Sequence, residues 1–144
     1  STISYEHDSA WTIPAQFTYN LGAGNSINLY LEHQKKYIDK HEYTNDERNI
    51  SRETYKNKYL SASFTGKSFY TITYFLEEQN YTDINDIKKK TRWSGFDFSL
   101  DLKSYGIISL FSGSQKGGIV CANGVCAEQP GFDGFKLTYR TFLN

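Results

Sequence analysis

Two cysteines are the residues whose type and spacing most directly imply chemistry. Cys121 and Cys126 bracket Ala122-Asn123-Gly124-Val125. Asn-Gly is the strongest short signal for a type I′ hairpin turn, because both central positions need φ > 0. With Asn123-Gly124 as the turn, Ala122 faces Val125 and Cys121 faces Cys126 in a non-hydrogen-bonded pair. Cα atoms approach to about 4.5 Å there, within the range a disulfide spans. The expectation is a disulfide at the tip of a hairpin, and hence an oxidising compartment. The plain alternative is two unlinked thiols.

Other reactive groups form no constellation. His7, His33 and His41 are scattered, and no Cys/His spacing suits zinc. Serines abound, but nothing local assembles a Ser-His-Asp set, so no catalytic residue, metal or cofactor is expected. Asp46-Glu47 and the acids of Asp83-Ile84-Asn85-Asp86 lack the spacing of a calcium loop and read as solvated charge. Lys88-Lys89-Lys90 could meet anionic lipopolysaccharide, although basic runs usually stay wet. Asn49-Ile50-Ser51 and Asn80-Tyr81-Thr82 match the glycosylation sequon, which matters only in a eukaryotic secretory setting.

The elements that must carry these residues read as strands. Twelve tyrosines and ten phenylalanines against two prolines favour β structure. Period-two alternation marks residues 1–7, 11–21, 27–37, 59–65, 70–77, 95–102, 107–112 and 135–140, eight strands in all. Extending the cysteine pairing without a bulge sets Ser112 against Phe135, Leu110 against Leu137 and Ile108 against Tyr139. On the other face Phe111 meets Lys136, Ser109 meets Thr138 and Ile107 meets Arg140. One face is apolar and the other mixed, which a one-residue slip would destroy. A bulge within 131–134 would shift this register.

Connections near 22–25, 66–68 and 103–105 are short. Those at 38–58, 78–92 and 115–133 are long and polar, and they read as loops. Short and long alternate except for a short break near 8–10. Up-and-down transmembrane barrels have this asymmetry between rims, and strands of about 9–11 residues suffice to cross when tilted.

Alternation alone leaves open whether the apolar face meets lipid or a dry core. Three features favour lipid. The polar faces are rich in Thr, Ser, Gln and Asn and carry Glu32, Asp97, Asp101, Lys136 and Arg140, as a lumen would. Trp11, Tyr19, Tyr37, Tyr70 and Tyr139 lie towards strand ends, where an interfacial girdle belongs. Eight strands also bring both termini to the short-turn end, as closure requires. In a filled barrel Glu32, Asp97 and Asp101 would pair with Lys136, Arg140 or Lys36; in a larger one they would line a pore.

Sixteen basic and sixteen acidic residues leave no net field that argues for nucleic acid. The chain has no methionine, which points to a processed protein or a piece of a larger one. No apolar run is long enough for a transmembrane helix.

The segment Gly117-Gly118-Ile119-Val120-Cys121-Ala122-Asn123-Gly124-Val125-Cys126, followed by Gly134-Phe135-Lys136-Leu137-Thr138-Tyr139, resembles the end of a group of Bacteroidota-type outer-membrane barrel proteins. These finish in a GG-x-V-C-x-x-G-x-C hairpin and a G-F-K-L-type last strand. The resemblance implies an outer-membrane location and the C-terminal part of a bigger barrel; it brings no substrate.

The expectation is an all-β, antiparallel, up-and-down transmembrane β-barrel of eight strands, or the last eight of a larger one. Its role is non-enzymatic: a pore or transport barrel, or a membrane scaffold. Its partners are outer-membrane lipid, lipopolysaccharide and other outer-membrane proteins reached through 38–58 and 78–92. The alternative is a secreted soluble β-barrel that binds a small apolar ligand.

Overall fold

The computed structural model describes residues 3–44, 47–122, 125–129 and 131–141, with the side chains of 3 and 118–130 excepted. It is all β apart from one 3₁₀ turn, Lys103–Tyr105. The strands are β1 (Ile3–Gly22), β2 (Asn25–Thr44), β3 (Glu47–Gly66), β4 (Tyr70–Thr82), β5 (Lys88–Asp101), β6 (Ile107–Gln115), β7 (Gly118–Ala122), β8 (Val125–Gln129) and β9 (Phe132–Arg140). Seven form one antiparallel up-and-down sheet in the order β1-β2-β3-β4-β5-β6-β9, and β7 pairs with β8 separately. Among the described residues no ladder joins β1 to β9.

The strand count corrects the expected eight. Residues 1–7 and 11–21 do not flank a turn, because β1 runs unbroken through Asp8-Ser9-Ala10. Tyr5, His7, Ser9 and Trp11 keep one phase, and no Gly or Pro interrupts them. With seven strands, β1 begins at the end away from the Gly22–Asn25 turn, so the termini do not share the short-turn end. A run of antiparallel neighbours of odd number also leaves β1 and β9 pointing the same way.

Two of the expected loops are strand as well. Residues 38–44 continue β2, 47–58 open β3, and 78–82 and 88–92 extend β4 and β5. β1, β2 and β3 are each 20 residues long, roughly 65 Å of strand and far more than a bilayer needs. Hydrophobic alternation stops in these stretches while backbone pairing continues, because side-chain charge takes over the cross-strand contacts described below. The third long connection, 115–133, holds the β7–β8 hairpin.

The chain divides into two compact units, and both draw on several strands. The first comprises Ser1–Ala15, Leu31–Tyr59 and Glu77–Arg92, and the second Gln16–Tyr30, Leu60–Leu76 and Trp93–Asn144. In the second unit the three short turns gather. The Ser68 amide donates to the Gly24 carbonyl at 2.8 Å, the Lys67 amide to Asn25 Oδ1 at 2.9 Å, and the Asp101 amide to the Phe69 carbonyl at 2.8 Å. Lys67 and Ser68 both have φ near +54°, a left-handed pair within the three-residue connection from β3 to β4.

The register in the second unit matches the expectation residue by residue. Phe111 faces Lys136, Leu110 faces Leu137, Ser112 faces Phe135 and Ile107 faces Arg140. Pairing continues without a bulge to Gln115↔Phe132, and Gly118 faces Gln129 three residues further along each arm. Cys121 faces Cys126 and Ala122 faces Val125. The Asn123-Gly124 turn and the cysteine side chains themselves lie outside the described residues.

Glycine is required at position 113, where β6 pairs with β5. Gly113 has φ +139°, and a Cβ there would run into the Ser94 carbonyl oxygen and the Gly95 Cα. Across the pair a Cβ at Gly95 would press on the Phe111 and Phe75 rings, and Phe111 is the single buried apolar side chain among the described residues, at 9% exposure. Phe75 stacks on it at 5.8 Å between centroids and Phe132 tilts against it at 6.0 Å.

Candidate functional site

The two faces of the sheet differ chemically, and each unit shows this within itself. In the second unit the rows Phe96–Ser112–Phe135, Phe98–Leu110–Leu137 and Leu100–Ile108–Tyr139 cross β5, β6 and β9 on one face. Phe135 is 79% exposed and Leu137 73%; Phe17, Tyr19, Leu21, Ile72 and Phe96 are exposed as well. Only Phe98 of Phe17, Leu31, Phe98 and Leu137 falls below the fully exposed class, and it is half-buried. These apolar side chains are therefore not gathered into a dry core.

The opposite face is polar and carries hydroxyl pairs. Ser63 and Thr73 hydroxyls meet at 2.9 Å, and Thr65 and Thr71 at 3.0 Å. The rows Asp97–Phe111–Lys136, Ser99–Ser109–Thr138 and Asp101–Ile107–Arg140 lie here. Asp97, Asp101, Lys136 and Arg140 thus share a face but not ion pairs. Asp97 and Lys136 stand two strands apart, about 10 Å at normal spacing, with Phe111 between them. Asp101 and Arg140 flank Ile107 in the same way, and the Asp101 carboxylate accepts the Lys103 amide at 2.7 Å. Among the described residues no ion pair involves Asp97, Asp101, Lys136 or Arg140. Asp97 and Glu32 are half-buried, whereas Asp101, Lys136 and Arg140 are exposed. Lys36 pairs with Asp8 at 3.0 Å and not with the expected acids.

The interfacial aromatics separate into two groups. Tyr19, Tyr70 and Tyr139 belong to the second unit, near the short turns. Tyr139 donates its hydroxyl proton to the Tyr105 carbonyl at 2.6 Å, which fixes the ring at the β6 turn. Tyr70 packs on Phe64 and Phe69. Trp11 and Tyr37 belong to the first unit. Trp11 meets His33 edge-on at 5.3 Å, and Tyr37 receives Lys35 at 4.7 Å and Arg52 at 4.9 Å over its ring.

The first unit carries a network of ion pairs that sequence reading missed. Arg52 grips Asp39 through two bonds, Nε to Oδ1 at 2.6 Å and Nη2 to Oδ2 at 3.0 Å. Lys40 meets Glu53 at 3.3 Å and Glu6 at 3.9 Å. Glu78 takes Arg92 at 2.8 Å and Lys90 at 3.0 Å. Those two cations, with Asn80 adding a third bond, hold the Glu78 carboxyl down at about 2. Arg52 likewise keeps Asp39 below the usual carboxylate range, and Glu53 raises Lys40. Desolvation beside Tyr55, reinforced by the nearby Asp83 carboxylate, pushes the Tyr81 phenol up to about 12. A signal was present: Asp39 and Arg52, and the hydrogen-bonded pair Gln34 and Asn57, are each equidistant from residues 45–46.

Among the described residues no three metal-ligating side chains converge, and His7, His33 and His41 lie along the strands β1 and β2. The surfaces themselves are the candidates: exposed apolar rows in the second unit and, separately, a charged ladder in the first. No protein-family model, curated protein or solved structure matches this chain.

Proposed function

We propose that this chain supplies strands of an outer-membrane β-barrel and works without enzymatic chemistry, as a pore or transport barrel or as a membrane scaffold. One observation carries the reading: the apolar rows on β5, β6 and β9 present Phe96, Leu110, Phe135, Leu137 and Tyr139 exposed, while on the opposite face Ser63 pairs with Thr73 and Thr65 with Thr71. Exposed apolar patches of this extent mark lipid or partner contact. A carrier of small apolar ligands needs a dry interior, and Phe111 is a poor basis for one.

The strand count adds a condition. Bacterial barrels close with an even number of antiparallel strands, because unpaired edges in hydrocarbon cost several kcal/mol per group. Seven strands leave β1 and β9 codirectional, so antiparallel closure calls for an odd number of further strands between them. This agrees with the resemblance to the C-terminal part of larger Bacteroidota-type barrels. In this reading Cys121 and Cys126 form the disulfide of the β7–β8 hairpin. The segments 38–58 and 78–92 are strand extensions beyond the membrane that meet other outer-membrane proteins, and lipid and lipopolysaccharide surround the band.

The test is detergent dependence followed by conductance. The protein should need detergent or lipid to stay monodisperse; a monodisperse detergent-free monomer defeats the membrane reading. Single-channel steps in planar bilayers then favour a pore, and their absence in an inserted protein favours a scaffold.

A further inference from the structure

The chain's net charge of zero conceals a separation of charge between the two faces of the first unit. On β3 the phase that carries Leu60, Ala62 and Phe64 carries Arg48, Arg52, Lys56 and Lys58 nearer the strand's start, and no acid. On β5 the phase of Phe96 and Phe98 carries Lys88, Lys90 and Arg92, again without an acid. All seven of these cations are exposed. Against them on this face stand Asp39, held by Arg52, and Glu78, shared by Lys90 and Arg92. The opposite phase collects Glu6 and Asp8 on β1 and Glu47 and Glu53 on β3. Alternation is confirmed by contacts: Arg52 reaches Tyr37 and Asp39, whereas Glu53 reaches Lys40.

The basic face adjoins apolar surface inside the same unit. Trp11, Ile13 and Leu31 are exposed, and Trp11 touches His33, the next residue after Leu31 at that phase. An exposed apolar edge, then Trp and Tyr, then unneutralised Lys and Arg is the order met on leaving hydrocarbon for a phosphate layer. Lys56, Lys58 and Lys88 form no ion pair among the described residues, so they are available.

We propose that this basic, aromatic-bordered face is a binding surface for the phosphate-bearing headgroups of anionic membrane lipids. The inference rests on the membrane location proposed above and names the ligand of that surface. Each cation held near an anionic surface contributes on the order of a fivefold gain in apparent affinity.

The test uses the full chain with Trp93→Phe, which leaves Trp11 as its tryptophan. It is reconstituted into phosphatidylcholine vesicles that contain either brominated phosphatidylglycerol or brominated phosphatidylcholine at equal fraction. Trp11 emission should be quenched several-fold more by the brominated anionic lipid. That preference should vanish in Lys56→Gln/Lys58→Gln/Lys88→Gln, survive in the corresponding Lys→Arg triple variant, and fade at ~1 M salt, where the Debye length is about 3 Å. Equal quenching by both lipids overturns the headgroup surface and leaves the membrane reading standing. Quenching by neither overturns both.

Discussion

Arg52 and Asp39 meet fork to fork across β2 and β3, with nitrogen–oxygen distances of 2.6 and 3.0 Å. The same guanidinium lies over the Tyr37 ring. A planar group that satisfies a carboxylate and an aromatic face at once fixes strand register where no apolar row remains to do so. Asp39→Asn keeps the size and removes the charge. Amide exchange at residues 37–41 and 50–54 should quicken several-fold while residues 107–111 are unchanged. Lys at position 52 should not restore protection, since an ammonium cannot make the paired bonds.

Glu78 gives the extension a defined acid response. Its carboxyl is lowered from 4.5 to about 2 by Arg92 and Lys90. A depressed folded value means the contribution is complete above the unfolded value and is lost as pH falls from about 4.5 towards 2. Exposure of the cations keeps the effect small. Carboxyl carbon shifts of Glu78 should therefore titrate near 2, and Glu78→Gln should flatten the loss of amide protection at residues 88–92 over that window. A midpoint near 4.5 would show that the pairing is not made.

Gly113 and Gly134 face each other across β6 and β9, both with φ near +138°, yet they should respond differently to alanine. At Gly113 the new methyl meets backbone of β5, while at Gly134 the nearest atom is the Phe132 ring at 3.7 Å. Both substitutions incur backbone strain on the order of 1 kcal/mol or more. Gly113→Ala adds a collision that no side chain can relieve, so its urea midpoint should fall further than that of Gly134→Ala.

Cysteine chemistry checks the hairpin. Cα register puts Cys121 opposite Cys126. Thiol reagent should find no free cysteine in the unfolded, unreduced protein and two after reduction, with a mass gain of two hydrogens. One reactive thiol per chain should appear in Cys121→Ser. Labelling of wild type without reductant would remove the disulfide from the proposal.

How much of this was legible in the sequence follows from what carries the pairing. β6, β9 and the β7–β8 hairpin were readable to the residue, because apolar alternation and an Asn-Gly signal agreed on one frame. β2 and β3 beyond residue 37 were not, because their alternation is of charge, as in Asp39–Arg52, and hydropathy does not register it. The spurious break at 8–10 arose where Asp8 and Ser9 dilute the pattern without turning the chain. Hydropathy alternation also could not show that the acids of β5 and the bases of β9 are separated by β6, which keeps Asp97 from Lys136 and Asp101 from Arg140.

Adjacent residues on β9 offer the sharpest contrast between lipid and water. Leu137 lies on the exposed apolar face, at 73% exposure, and Thr138 on the opposite face opposite Ser109. In a bilayer Leu137→Arg should cost about 2–4 kcal/mol if the residue sits near the midplane, whereas Thr138→Arg on the lumen side should cost much less. In water the order reverses in sign: replacing an exposed leucine by arginine is neutral or favourable to solubility. Folding yield into phospholipid vesicles, followed by urea titration, reads both variants. Wild-type behaviour of Leu137→Arg would place that face against water and bring down the outer-membrane reading together with the headgroup surface built on it.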